Sequence, residues 1–454
     1  MNPTLPSRRS AYPRISLLAL SIGALFAPAA YAADPVIADA PILFGPSNGG
    51  SANSVAMSAD GSTIIGTATP PQGMPQAFRW TSATGMQNFG TPDGSYIRAG
   101  SVNADGSVVV GQYTPVLGAG TFAFRWTASA GVQSLGTLGG ATSNASGVSA
   151  DGAVVVGSSY TTDNVNLRAI RWTAATGMVD LGTLGGSDST AIAVSADGST
   201  VVGLATTSTN ASHAFRWTSA SAMQDLGTIG GESSYATAVS ANGAVVAGQA
   251  MTPGYETRVF RWTSATGMKD IGTLGGDTAN LYGMSADGAV LVGSAAPAGN
   301  TTLHAFRWSS ATGMADLGTL GGIASIATAV NANGAVVVGI AIMAEGNPRI
   351  FRWTNATGMQ DLQTLLANAG VRMNGISLNS ATGLSSNGQY IVGDGGGPAT
   401  NGTGQVYLVR YIDATILHPP TTDPATPEPG GDRHPRHPLH LRRLRHLRHP
   451  SSQA

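Results

Sequence analysis

The chain has 454 residues, of which 10% are charged and 6% aromatic, while glycine occurs 62 times and cysteine never. That composition excludes a disulfide-stapled scaffold and points to many short elements joined by turns rather than to long helices. Between the leader arginines and Ile412 the body holds 14 basic and 20 acidic residues, and such an acidic surface argues against nucleic acid as the main partner.

Arg8, Arg9 and Arg14 precede an apolar run from Ile15 to Ala30, and Ala30-Tyr31-Ala32 forms a small-residue cleavage site. Residues 1–32 therefore read as a signal peptide, and export is expected. An exported chain without cysteine must hold its fold by packing.

The body repeats. All seven tryptophans fall at one repeat position, from Trp80, Trp126 and Trp172 through Trp217, Trp262 and Trp308 to Trp353. Their spacings are 46, 46, 45, 45, 46 and 45 residues. Eight Asp/Asn-Gly pairs keep the same rhythm, beginning at Asp60 and ending at Asn387. One unit reads as four strands. Thr190–Ser195 is strand a, and Asp197-Gly198 is a tight turn. Thr200–Leu204 is strand b, His213–Thr218 strand c and Met223–Gly227 strand d. Four short strands in about 45 residues match a β-propeller blade. Length varies between the Asp-Gly turn and the tryptophan, which places variation in the b–c loop. In an up-and-down blade the b–c and d–a loops share one face, so a binding surface is expected there, for example at Thr67–Gln76 and Tyr160–Asn166.

Alternation along strand c sends Phe215 and Trp217 one way and Arg216 the other. The aromatic pairs are expected to form cores between blades. A four-residue c–d turn would set Arg216 opposite Asp225. It would likewise set Arg171 opposite Asp180, Arg261 opposite Asp270, Arg307 opposite Asp316 and Arg352 opposite Asp361. These five pairs are expected as partly buried ion pairs, with Arg79 facing Asn88 and Arg125 facing Ser134.

The ends complement each other. Ile42–Gly45 matches strand d with no strands a to c before it, while Thr382–Leu384, Tyr390–Val392 and Val406–Tyr411 match strands a, b and c with no strand d after them. The expected fold is all-β, a closed propeller of eight four-stranded blades over residues 41–411, its last blade completed by the N-terminal strand. A β-helix solenoid is the alternative.

His213-Ala214-Phe215 and His304-Ala305-Phe306, each followed by Arg-Trp and then by Asp-Leu-Gly-Thr, resemble the HAF family of bacterial extracellular repeats. The array is also similar to autotransporter passenger regions, in which repeats precede a Pro/Thr-rich linker and an outer-membrane barrel. Residues 412–431 resemble that linker. The likeness implies cell-surface display or secretion, with export machinery and outer membrane as partners where a barrel is present, and implies no established chemistry. Here residues 432–454 are an Arg/His/Pro-rich tail in place of a barrel. This tail is expected to be disordered and to arise from an out-of-frame reading of the gene.

No catalytic, cofactor-binding or metal-ligating residue is expected, and no cofactor. No cysteine nucleophile exists, no phosphate loop precedes a helix, and one carboxylate per turn is too few for calcium. His213 and His304 occupy equivalent strand positions and read as packing residues. The reading that follows is a monomeric, non-enzymatic binding or adhesion module for an extracellular glycan or protein. The alternative is a polysaccharide-active propeller enzyme, which needs carboxylates converging on the central opening.

Overall fold

A computed structural model of the protein describes residues 36–45, 50–72, 74–89, 95–116, 118, 120–299, 302–398 and 404–417. The expected signal peptide, most of the linker and the tail lie outside the described residues.

Seven sheets of four antiparallel strands follow one another along the chain, each with its strands hydrogen-bonded in the order a, b, c, d. Blade 4 is representative, with strands Gly185–Val194, Thr200–Thr207, Ser212–Thr218 and Ala222–Asp225. An eighth blade draws on both ends of the chain. Its strand b is Tyr390–Gly396, its strand c is Gln405–Ile412, and Ile42–Phe44 supplies strand d by pairing Ile42 with Leu408. The composite blade inferred from the repeat is thus present. A further N-terminal strand, Ile37–Ala38, extends the same edge by pairing Ile37 with Ile412.

The core is divided among the blade interfaces. Eight apolar clusters each join two neighbouring blades, and the last joins blade 8 to blade 1 through Phe44, Val392, Ile64 and Phe78. This closure replaces the solenoid alternative. Phenylalanine holds the centre of six of the interfaces: Phe78, Phe124, Phe215, Phe260, Phe306 and Phe351 have no accessible surface. In blade 3 Ile170 takes that place. Most of the tryptophans lie at the margin, partly buried.

The inner strand carries a bulge in each of the seven complete blades, as between Ala191 and Ala193 in blade 4. It explains an unvarying glycine in strand b. A Cβ on Gly203 would stand 2.0 Å from the carbonyl oxygen of Thr190, so the bulged strand can approach only a residue without a side chain.

A helix, Leu362–Asn368, interrupts the repeat between blades 7 and 8. Asp361 caps it by accepting from the Thr364 amide, and Leu362, Leu365 and Leu366 are buried between blades 7 and 8. The strand-d glycine is replaced there by Gln363, which lets the chain continue as a helix instead of turning.

Candidate functional site

The a–b turns form the uniform face. In blade 3 the buried Ser149 hydroxyl donates to Asp151 at 2.5 Å and accepts from the Val154 amide, while Asp151 also accepts from the Ala153 amide. Blades 2 and 7 place Asn103 and Asn331 in the serine's position, accepting from Val108 and Val336. The hydroxyl of Ser149, followed by the backbone amide, holds the Asp151 carboxyl below its ordinary value. Ser195 does the same for Asp197. Of the Asp-Gly pair only the glycine takes positive φ (71° at Gly198), so the aspartate serves as an acceptor.

These turns also join one another. The residue after each buried Ser or Asn donates its amide to the same carbonyl in the next blade. The series runs Ala59 to Ala104, Ala150, Ala196, Ala241, Ala286, Ala332 and Ser386, and Ser386 returns to Ala59. Eight hydrogen bonds of 2.7–3.2 Å thereby close a circle around the axis.

The strand-c arginines reach to this face, and here the structure corrects the sequence-based pairing. Three residues, not four, separate strands c and d, so Thr218 pairs with Ala222 and Phe215, not Arg216, faces Asp225. Arg171 faces Val179, Arg261 faces Lys269, Arg307 faces Ala315 and Arg352 faces Gln360. Arg79 and Arg125 face Gln87 and Gln133, leaving Asn88 and Ser134 opposite Phe78 and Phe124. None of the expected pairs with Asp180, Asp225, Asp270, Asp316 or Asp361 forms.

Each arginine instead crosses to the next blade. Arg216 donates from Nε to the Gly243 carbonyl at 3.2 Å, and its guanidinium lies 5.8 Å from the Trp262 ring centre. Arg79 to Gly106, Arg125 to Gly152, Arg261 to Gly288 and Arg307 to Gly334 repeat the bond at 3.0–3.2 Å, and Arg171 reaches Gly198 at 3.4 Å from Nη2 instead. Stacking on the next tryptophan accompanies it at Arg79, Arg261 and Arg307.

The strand-d aspartates find partners at the other end of strand c. His213 Nδ1 lies 2.9 Å from Asp225, His304 Nδ1 2.8 Å from Asp316, Arg168 3.6 Å from Asp180 and Arg349 3.5 Å from Asp361. The two histidines, with side chains 21% and 22% exposed, thus pack against the blade and also pair with carboxylates. Spacing could have found this, since a basic residue recurs four positions before Trp172, Trp217, Trp262, Trp308 and Trp353.

Blade 8 departs from the pattern by using carboxylates. Arg352, 1% exposed, forms a two-point bond with Asp413 at 2.8 and 3.0 Å over the Tyr411 ring. Asp394 accepts from the Ser54 amide and hydroxyl of blade 1 and from Ser380. Below it the Tyr407 phenol, fully buried, donates to the Ser380 carbonyl at 2.6 Å. Burial, then the nearby Asp394, pushes its pKa far above the ordinary value.

The b–c loops project from the opposite face. Strand b runs on to Thr69 in blade 1 and to Thr161 in blade 3, so these loops are shorter than sequence suggested. In blades 3, 4, 5 and 7 each is a small hairpin with one residue in the left-handed region: Asn164, Asn210, Tyr255 and Gly346. Asparagine and glycine suit that conformation; tyrosine does not. Four b–c loops also present an apolar residue to solvent: Met74 (63% exposed), Val116 (61%), Val165 (72%) and Tyr255 (69%).

Towards the axis, the inner strands carry two carboxylates among the described residues, Asp188 in blade 4 and Asp277 in blade 6. Asp188 is engaged by the Leu167 amide of blade 3 at 2.8 Å. Tyr282 is exposed on the blade 6 bulge. Burial, then Tyr282, raises the phenol pKa of Tyr235 in blade 5. Among the described residues no three His, Cys, Asp or Glu side chains converge as metal ligands do.

No family profile and no curated protein matches the chain. Solved structures do. A prolyl endopeptidase aligns over 76% of this chain and 54% of its own, at 11% identity and a TM-score of 0.47. The chain thus spans about half the length of that enzyme. An oligogalacturonate lyase from Vibrio parahaemolyticus aligns over 84% of this chain and 98% of its own, at 11% identity and a TM-score of 0.44. The β-propeller domain of the Trilobed protease from Pyrococcus furiosus covers 69% of this chain and 98% of its own, at 8% identity and a TM-score of 0.44. At such identities and scores the comparisons add nothing about function, and the eight four-stranded blades are read from the sheets of this chain itself.

Proposed function

We propose that the protein is an exported, surface-displayed or secreted binding module of the HAF-repeat type, similar to an autotransporter passenger, and that it engages an extracellular partner with its b–c loops. The observation that carries this reading is the set of exposed apolar side chains at Met74, Val116, Val165 and Tyr255, all on the loops of one face. Isolated surface apolar residues are ordinary, but their recurrence on the loops of one face, at the same position seven residues before the tryptophan for Val165 and Tyr255, marks an interaction surface. The strained backbone of Tyr255 supports it, because a residue that costs folding energy in an exposed turn is retained for what it touches. Three aliphatic tips among the four favour a protein partner over a glycan, which is recognised chiefly by aromatic faces and polar groups.

The reading is non-catalytic. Asp188 is already engaged by the Leu167 amide of the neighbouring blade, whereas polysaccharide hydrolysis by paired carboxylates needs two available groups about 5–9 Å apart across one bond. Incubating the secreted protein with arrays of glycans and host surface proteins tests both halves. Retention of a ligand without turnover, lost in the variant Met74→Ser, Val165→Ser, Tyr255→Asn, supports the proposal. Release of shortened saccharide products would replace it with the enzymatic alternative.

A further inference from the structure

We propose that the pocket between blades 8 and 1, on the face opposite the b–c loops, is a receptor for a guanidinium group, as borne by an arginine side chain. The repeat itself shows what such a place holds. At six other interfaces a strand-c arginine donates to the glycine carbonyl of the next a–b turn. Four of those six also stack on the next tryptophan. At the eighth interface the acceptor side is in place. A Cβ on Gly61 would meet the Tyr390 ring at 2.5 Å, just as one on Gly152 would meet Val108 at 2.5 Å, so the blade 1 turn is seated normally.

The guanidinium is what differs. Arg410 stands at the equivalent position of strand c, yet it lies 3.6 Å from Asp39 on the N-terminal segment. Its Nε is buried without an acceptor, and no bond joins it to Gly61. The space beside it is a pocket of about 280 Å³ whose wall includes Arg410 itself, the polar groups of Asp39, Asp60 and Gly61, and the rings of Trp80 and Tyr390. The Gly61 carbonyl, the Asp39 carboxylate, the Asp60 oxygen that does not hold Ser58 and Ser62, and Trp80, one face of which is stacked on Phe44, suit a planar, delocalised cation with several donors better than a compact ammonium. The two carboxylates outweigh the single charge of Arg410. Two sources share this chemistry: an arginine of a separate peptide, and the chain's own Arg433, Arg436, Arg442, Arg443, Arg445 and Arg448.

Calorimetric titration of the full chain with N-acetyl-arginine amide, and with its lysine counterpart, tests the proposal. The same titration is run on a full-length variant with those six arginines replaced by glutamine. Saturable 1:1 binding of the arginine probe to the unaltered chain indicates a separate ligand; binding that appears only in the variant indicates the chain's own tail. In either case Asp39→Asn, at an exposed site that leaves the fold intact, should weaken binding about fivefold, the size of one partly exposed charge pair. Asp287→Asn, in the blade 6 turn, should leave it unchanged. Absence of saturable binding in both chains, equal affinity for the lysine probe, or indifference to Asp39→Asn would overturn the assignment.

Discussion

The amide of Ser386 donates to the carbonyl of Ala59 at 2.7 Å, the shortest of the eight bonds that run from turn to turn around the axis. The first and last turns of the repeat are therefore as closely joined as any two in between. Neighbouring blades are held together through that circle, through an apolar interface and, at seven of the eight interfaces, through an arginine on the uniform face.

The arginine contact can be weighed directly. Arg216→Ala should cost about 1–2 kcal/mol, the sum of a charge-assisted bond to Gly243 and stacking on Trp262. Asp180→Ala, which touches Arg168 at an exposed site and not Arg171, should cost under about 1 kcal/mol. Urea denaturation of the two variants compares them. A larger loss in Asp180→Ala would restore the register inferred from sequence.

Two glycines separate conformational strain from crowding. Gly198 has φ of 71°, and a Cβ there would stand 2.6 Å from Val154 of the preceding blade. Gly267 has φ of 64° and open space around it. Gly267→Ala should cost about 1 kcal/mol from backbone strain alone, and Gly198→Ala distinctly more, about 2 kcal/mol or above. Thermal unfolding midpoints measured side by side would show the difference.

Acid should loosen the turns. The carboxyls of Asp105, Asp151 and Asp197 have pKa values lowered by hydrogen bonds from neighbouring serines and amides. A group whose folded pKa is depressed contributes its stability above the unfolded value, about 3.9, and loses it as pH falls through the folded value. Stability should thus decline below about pH 4. Replacing all three by asparagine, the residue blade 5 already uses at Asn242, should flatten that decline, as followed by circular dichroism during acid titration.

Asp413→Ala should be the most damaging single change to the closing blade. It leaves the guanidinium of Arg352 buried and without its two-point partner, a loss of about 3 kcal/mol. Arg352→Met in the same background should recover much of it, because the stranded charge is gone. Failure of the second change to rescue the first would mean that Asp413 acts through its other contacts.

Tyr255→Asn should raise stability by about 1 kcal/mol, since asparagine tolerates the left-handed backbone that tyrosine strains. It should also weaken ligand capture, the expected trade where strain serves binding. Hydrogen exchange of blade 5 and the binding array report the two effects separately.

What the sequence made legible was whatever repeats. The Trp spacing, the Asp-Gly turns and the match between Ile42–Gly45 and the unfinished last unit were enough for eight blades and their closure. The cross-strand partners of the arginines were not, because shortening a turn by one residue shifts every pairing beyond it. The identity of Gly203 was visible, but its cause, a bulge in the facing strand, arises only on pairing. The carboxylates Asp394 and Asp413 were hidden because they occur once, and a reading built on periodicity is blind to exceptions. The apolar loop tips were hidden for the opposite reason: only the common face of the b–c loops makes four scattered residues one surface.

The composite last sheet has a temporal consequence. A polypeptide delivered amino end first presents Ile42–Phe44 early and must keep it unpaired while seven complete blades arrive behind it. Only when Gln405–Ile412 emerges does that waiting strand acquire a neighbour. Assembly therefore has a final, all-or-nothing step at the join, and a chain cut short before residue 405 would be left with both ends raw and sticky, whatever the quality of everything between them.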